Sequence, residues 1–521
     1  MRHHSLAFSG DGHFDIVTFL MVINISIRYR SVLLTALPII LSLLWVFGAN
    51  SGPVQWFDNG YLLTRASDSP VILWSQSHAS HPFYHAISVL TYRLAGPHGV
   101  AYLNAALSIP LAICIFWLAR TLRLSHLHAS LATVSVLLTN NVFWSATKVE
   151  VYTLHLLLLF GVLTLALQPH LHRWQPLGLG FLAGLAIATH QQTIFLLAPL
   201  ALWIIIQRPR WIMGGLTGLI VGLWPLLPPL FTAPTPLWDT IRHLAYGYQA
   251  GHESELVAFR FDRIAHGLPH VALLLVSLVG LPIGGLLAKQ PTTATRLLWW
   301  TGVVNGVFSI SLNFADRFQF FLPGAALFAL LGTYSVCQAG WFRRHTRLGP
   351  VILIGLVCLA PCISIGIWLM QRAQWIVLPQ HRFSLPYRHN TRYFMVPYLK
   401  DTSARQFVER YQTVVPIGAM VAADYSILAA LRSAQVAGLF QGRDIVDMTL
   451  LAPDDTVRDA TAIHSRDGAT LLPLQYADPA TPTVDPREIL KETVYGVRFE
   501  SVLAPWYHLV PQPIGWVGHK K

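Results

Sequence analysis

The chain has 521 residues, 54% hydrophobic and only 12% charged, with a mean hydropathy of +0.49 and a formal net charge of +12. A soluble domain carries about 25% charged residues, so this composition, with its repeated apolar runs of around 20 residues, excludes an ordinary soluble protein and indicates an integral membrane one. The basic residues lie mostly between apolar runs, which argues for membrane topology and against nucleic acid as a partner.

In chain order, residues 1–30 read as a short basic cytoplasmic leader. Its apolar stretch 14–27 is too short to span and shows no small-residue cleavage site, so it reads as an interfacial segment and not a signal peptide. The first span is expected at 31–49. Others are expected near 99–119, 127–144, 149–167, 176–190, 191–207, 211–231, 269–288, 297–314, 318–340 and 349–371, about eleven in all, with an error of one or two. Residues 82–95 read as an amphipathic helix lying along the surface, because Arg93 and the histidines interrupt the apolar run. The fold class is therefore an all-α polytopic membrane domain over 31–371, with outer loops at 50–98 and 232–268. The four cysteines, Cys114, Cys337, Cys358 and Cys362, all fall in apolar runs and read as core residues.

Charge orients the chain. With the N-terminus cytoplasmic, the inner connections hold Arg120, Arg123, Arg173, Arg208, Arg210, Lys289, Arg296, Arg343, Arg344 and Arg347, and no carboxylate. The acids between residues 16 and 400 are Asp58, Asp68, Glu150, Asp239, Glu253, Glu255, Asp262 and Asp316, and all map to the outer side. Acids determine topology weakly, so their one-sided placement points to a site on the outer face. The loop 232–268 reads as an interfacial cover or a plain connector. Residues 401–521 hold 14 of the 24 acids, and residues 372–521 read as a small α/β soluble domain on the outer side. No nucleotide, phosphate-loop or metal-protease pattern occurs in it, and it reads as an accessory or acceptor-recognition domain.

The residues able to do chemistry gather at that outer boundary. Asp58 follows Trp56 and Phe57 just after the first span, where lost solvation suits a carboxylate to act as a general base; the alternative is a surface acid at a helix start, with Asn59 and Gly60 in a turn. Lys148 and Glu150 stand where one span ends and the next begins, as functional groups or as an anchoring pair. His190 lies at a break between two short spans. Arg65 and Arg317 are candidates for gripping a phosphate, Arg317 alternatively pairing with Asp316. His81 precedes Pro82, a position that presents the imidazole or caps the surface helix.

Three blocks resemble a family of polytopic membrane proteins placed near the protein O-mannosyltransferases of the GT-C glycosyltransferase class. They are "WFDNG" with "SHPFYH" in the first outer loop, the hairpin "FWSATKVEVYTLH", and the small-residue helix "GLGFLAGLAIATHQQT". Tyr61 stands where that family usually has Glu after the Gly, so a second carboxylate in this loop is lost unless Asp68 supplies it. The resemblance implies a GT-C-like fold and an inverting transferase. It would use a polyprenyl-phosphate sugar, mannose or another hexose, with Asp58 as base and a protein or glycan acceptor. Arg65, His81, Lys148, Glu150, His190 and Arg317 would bind donor or acceptor. No cofactor is expected, a divalent metal being left open. The rival readings are a transporter or flippase, which would place its ionisable groups near mid-membrane, and a non-catalytic paralogue. The implied location is a bacterial inner membrane.

Overall fold

The computed structural model describes residues 35–72, 81–168, 172–228, 236, 274–311, 317–344, 348–376, 390–414, 417, 420–423, 425–447, 494–496, 499–503 and 506–509. The leader 1–30 and, apart from position 236, the loop 232–268 lie outside the described residues.

Helices occupy the expected apolar runs. They are α1 (Thr35–Gly48), α2 (Phe57–Asp68) in the first outer loop, α3 (Pro82–Thr121), α4 (His126–Leu137), α5 (Asn140–Ala146), α6 (Tyr152–Leu167), α7 (Gln175–Thr189), α8 (Thr193–Leu196), α9 (Ala198–Gln207) and α10 (Ile212–Gly222). Then come α11 (Leu281–Leu287), α12 (Thr293–Ser311), α13 (Arg317–Phe320), α14 (Leu322–Gln338), α15 (Gly340–Arg344) and α16 (Leu348–Arg372).

By length and composition only α3 and α16 are full spans among the described residues. A third is added if the helices 193–207 and 209–222, bent by 115°, count as one broken span; α1, α4, α6, α7 and α14 are shorter apolar helices. The expected eleven are thus eleven apolar segments rather than eleven full-length helices, because glycines, prolines and polar residues cut the runs short. One break divides α3 itself: Gly96 has φ 63° and ψ −162°, a region essentially reserved for glycine. Pro97 restarts the helix where a missing N–H is no loss. Residues 82–95 therefore form a helical piece distinct from the membrane run that follows, as the sequence pattern predicts.

Small residues set the closest packing. A Cβ on Gly180 would fall 1.9 Å from the Gly215 carbonyl oxygen, and one on Gly218 2.1 Å from that of Leu177, so α7 and α10 meet backbone to backbone as small-residue helix pairs do in membranes. That is the structural meaning of Gly180 and Gly184 in "GLGFLAGLAIATHQQT".

After α16 come α17 (Asn390–Met395), α18 (Ser403–Val414), β1 (Met420–Ala423), α19 (Tyr425–Val436), β2 (Asp444–Asp447) and β3 (Val494–Gly496). The three strands form a parallel sheet in the order β2-β1-β3, with Met420 opposite Asp444 and Val494. β4 (Phe499–Leu503) pairs antiparallel with β5 (Trp506–Leu509). β1 followed by α19 occupies "AMVAADYSILAALRSA", within the stretch expected to be α/β. This part does not merely hang from the last span. Trp56 of the outer loop, Trp144 of α5 and Phe318 of α13 share one apolar core with Tyr393, Phe407 and Phe440.

Candidate active site

Helix α2 carries the centre of the site. Trp56, just before it, is buried, and its indole N–H donates to Ser403 Oγ at 2.8 Å. Phe57 opens the helix with φ 51°, a left-handed backbone that bulky L-residues rarely adopt. Asp58 then stands exposed in the first turn, a surface acid at a helix start and not the desolvated carboxylate expected from the sequence, where a helix N-terminus favours its negative charge. Asn59 and Gly60 are buried within the helix, not in a turn.

Asn59 ties this turn to the hairpin between α5 and α6. Its Nδ2 donates to the Val149 carbonyl at 2.9 Å and to Glu150 Oε1 at 3.0 Å, and its Oδ1 accepts from the Tyr393 hydroxyl at 2.8 Å. Both ends of the amide are engaged, which fixes its orientation. Glu150 is 4% exposed, and its Oε2 accepts the Val151 N–H at 3.2 Å. Lys148 is just as buried. Its Nζ donates to Ser51 Oγ at 3.0 Å, lies 3.9 Å from Asp401 Oδ2, and sits 4.6 Å from the centre of the Tyr393 ring. Lys148 is thus held by its own partners.

Arg65 is different. It lies on the same helix seven residues after Asp58, about 10 Å along the axis, and is 7% exposed. Its Nε and Nη2 are buried without a hydrogen-bond partner. Burial lowers its pKa to about 10, against a smaller raising effect of Tyr61, so it stays cationic at neutral pH. A buried guanidinium with unmatched donors costs several kcal/mol, a cost that an anion at this position would offset.

Beside it stand three histidines. The His190 ring lies 5.1 Å from His81, 5.3 Å from His155, 5.1 Å from Tyr152 and 5.5 Å from Phe320, centre to centre. Their hydrogen bonds assign the tautomers. His81 Nδ1 is 2.8 Å from the Thr189 carbonyl, which only accepts, so Nδ1 carries the proton and Nε2 is an acceptor. His190 Nδ1 accepts the Gln192 N–H at 3.3 Å, leaving the proton on Nε2. His155 accepts from the Gln192 amide at Nδ1 and donates through Nε2 to Thr193 Oγ1, at 3.3 and 2.7 Å. Desolvation, aided by Arg65 and opposed by the Thr189 carbonyl, lowers His81 to about 4.

The structure therefore brings Asp58, Glu150 and Lys148 to one node and Arg65, His81 and His190 to a second. The hairpin joins them, since Tyr152, two residues past Glu150, packs against His190 with its ring tilted by 34°. Arg317 begins α13, whose last residue, Phe320, packs on His190; the Arg317 side chain and Asp316 lie outside the described residues. Asp68 does not replace the missing loop carboxylate. It is exposed at the far end of α2, about 15 Å from Asp58 along the helix, and accepts from Ser67 Oγ at 2.6 Å. Glu150 is the second carboxylate near Asp58's turn. An apolar cavity of about 440 Å³ lined by Thr35, Ile39, Leu43, Ile113, Phe116 and Trp117 lies at the opposite ends of α1 and α3 and takes no part.

This arrangement sits on a known architecture. The chain has the fold of ArnT. It matches ArnT from Cupriavidus metallidurans bound to undecaprenyl phosphate with a TM-score of 0.51 and 14% identity, over 81% of this chain and 90% of that one. For ArnT of the same organism in the apo state the TM-score is 0.53 at 14% identity, over 78% and 85%. No family model matches the chain and no curated protein matches its sequence. The shared fold agrees with the order of helices described above. At 14% identity it is a likeness of fold, and the chemistry must be argued from the residues.

Proposed function

We propose that the chain is a membrane glycosyltransferase that moves a sugar, a hexose such as mannose, from a polyprenyl-phosphate donor to an acceptor hydroxyl. The reaction takes place at the outer face of a bacterial inner membrane and inverts the anomeric centre. Asp58 takes the proton of the acceptor hydroxyl as that oxygen attacks the anomeric carbon; the bond to the lipid phosphate breaks, and the phosphate leaves as an anion. Such a leaving group needs a cation more than a general acid.

The observation that carries the reading is Arg65, a buried cation with two unmatched donors on the helix that presents Asp58. It selects among the candidate phosphate residues, because Lys148 is engaged by Ser51, Asp401 and two aromatic rings. The remaining nitrogens of the histidine stack, an acceptor on His81 and a donor on His190, supply complementary partners for sugar hydroxyls. The ArnT fold, solved with undecaprenyl phosphate, supports a lipid-linked donor. Asn59 ties Glu150 to the turn that bears the base.

The test is release of polyprenyl phosphate from a panel of polyprenyl-phosphate sugars, with native membrane extract as the acceptor source, comparing wild type with Asp58→Asn. The expected result is release by wild type and a loss of about a hundredfold or more in the variant. No release with any donor from well-folded wild type would overturn the transferase and favour a transporter or a non-catalytic paralogue. Normal turnover by Asp58→Asn would remove Asp58 from the role of base.

A further inference from the structure

The backbone around Asp58 is held from both sides by the segment that follows the last membrane helix. On one side, Trp56 donates to Ser403 Oγ at 2.8 Å and packs on Phe407 with ring centres 5.2 Å apart. On the other, the Tyr393 hydroxyl donates to Asn59 Oδ1 at 2.8 Å. Between these anchors lies Phe57 at φ 51°. A conformation of that kind persists only where its surroundings over-determine it, and such strain gathers at functional sites.

Further contacts fix the segment itself against the hairpin. The Tyr393 carbonyl accepts the Trp144 indole N–H at 3.0 Å, the Met395 carbonyl accepts from Asn140 at 2.9 Å, and Asp401 faces Lys148. Just before the turn, the Gln55 N–H donates to Ser433 Oγ of α19 at 3.2 Å. These contacts join residues separated by some 250 to 380 positions in sequence, all around the one turn that bears Asp58.

We propose that the segment after the last membrane helix is a wall of the catalytic site, with Tyr393 and Ser403 as positioning residues. They hold the strained Trp56–Asn59 turn so that Asp58 faces its substrate. The turnover consequence rests on the transferase reading; the clamp itself does not. The soluble part is then an obligatory piece of the site, beyond any role in recognising acceptors.

The experiment uses the full-length chain in lipid nanodiscs with Tyr393→Phe and Ser403→Ala. Tyr393→Phe keeps the ring beneath the Lys148 ammonium and deletes only the hydroxyl. Each variant is expected to lower kcat about tenfold with KM for the donor unchanged, the pattern of a group acting only as the transition state forms. In the absence of substrate, amide exchange should quicken at 56–60 and 149–151 in Tyr393→Phe, while exchange in the membrane helices stays as in wild type. Unchanged kcat, or unchanged exchange at 56–60, overturns the proposal. So does a loss of turnover fully accounted for by less folded protein, which would make these residues merely structural. If wild type turns over no donor, the transferase reading fails and the exchange measurement alone decides the clamp.

Discussion

Arg65 pulls stability and function in opposite directions. Its unmatched buried donors destabilise the ligand-free protein and, on the proposed reading, are satisfied by the donor phosphate. Arg65→Met should therefore stabilise the ligand-free chain by about 1–4 kcal/mol while raising KM for the donor tenfold or more. Thermal unfolding with and without polyprenyl phosphate checks both halves. Added lipid phosphate should raise the transition of wild type and leave that of the variant unmoved. Equal ligand shifts in the two proteins would take the phosphate away from Arg65. His81 gives a second prediction, in pH. Its folded pKa of about 4 lies below the ordinary 6.5, so between those values the unfolded chain binds more protons and stability falls as the medium is acidified. The contribution is fully present above pH 6.5 and gone near 4, with an upper bound on the order of 3 kcal/mol. The unfolding temperature of His81→Gln should fall less steeply over that window; an identical slope would show that His81 is not the group responsible. Asp58, Glu150, Arg65 and His190 were legible in the sequence because an ionisable or imidazole group is conspicuous at an apolar boundary. Asn59 and Tyr393 were not. A neutral amide and a phenol give no local signal, and their bond closes a loop of 334 residues.

At the scale of elements, the contact that matters most is α2 on α19. A Cβ on Gly60 would fall 2.3 Å from the Gln55 carbonyl oxygen just before α2 and 2.6 Å from that of Ala429 in α19, so the helix bearing Asp58 docks through a position with no side chain. Gly60→Ala should cost about 1–3 kcal/mol by overpacking and cut turnover with it. Gly48→Ala, at the end of α1 with nothing within 4 Å of the added carbon, is the control and should stay within about 0.5 kcal/mol. Comparable unfolding midpoints for the two variants in denaturant titration would show that α2 does not depend on this contact. The sequence pattern gave Gly60 only as part of a motif, since close approach between distant backbones leaves no periodicity behind. Local chemistry was readable where it was self-contained. The helix over 82–95 was legible in Arg93 and the histidines that interrupt the apolar run, whereas the Gly96-Pro97 break that ends it became visible only in the backbone. The membrane helices were readable as apolar segments but not as lengths, because whether a polar break bends a span or ends it depends on what packs there.

For the whole molecule, the arrangement of charge and the position of the clamp bear on the same question, which is the face at which Asp58 works. In the topology expected from the sequence, the inner connections carry arginine and lysine without a carboxylate, and the eight acids between residues 16 and 400 all fall on the other side. Arg392 donates to the carbonyls of Leu399 and Lys400, and the neighbouring Asp401 faces Lys148, so Lys400 lies on the face of the Asp58 turn. Lys289, just past α11, belongs to the opposite set. Both lysines are exposed, whereas Lys148 is buried and should be silent from either side. A membrane-impermeant amine reagent applied to intact cells should therefore modify Lys400 and spare Lys289, with Lys289 reacting only after the membrane is ruptured. The reverse pattern would place the Asp58 turn in the cytoplasm. Donor, acceptor and the soluble part would then have to meet on that side, and the positive-inside bias that orients the chain would have failed for it.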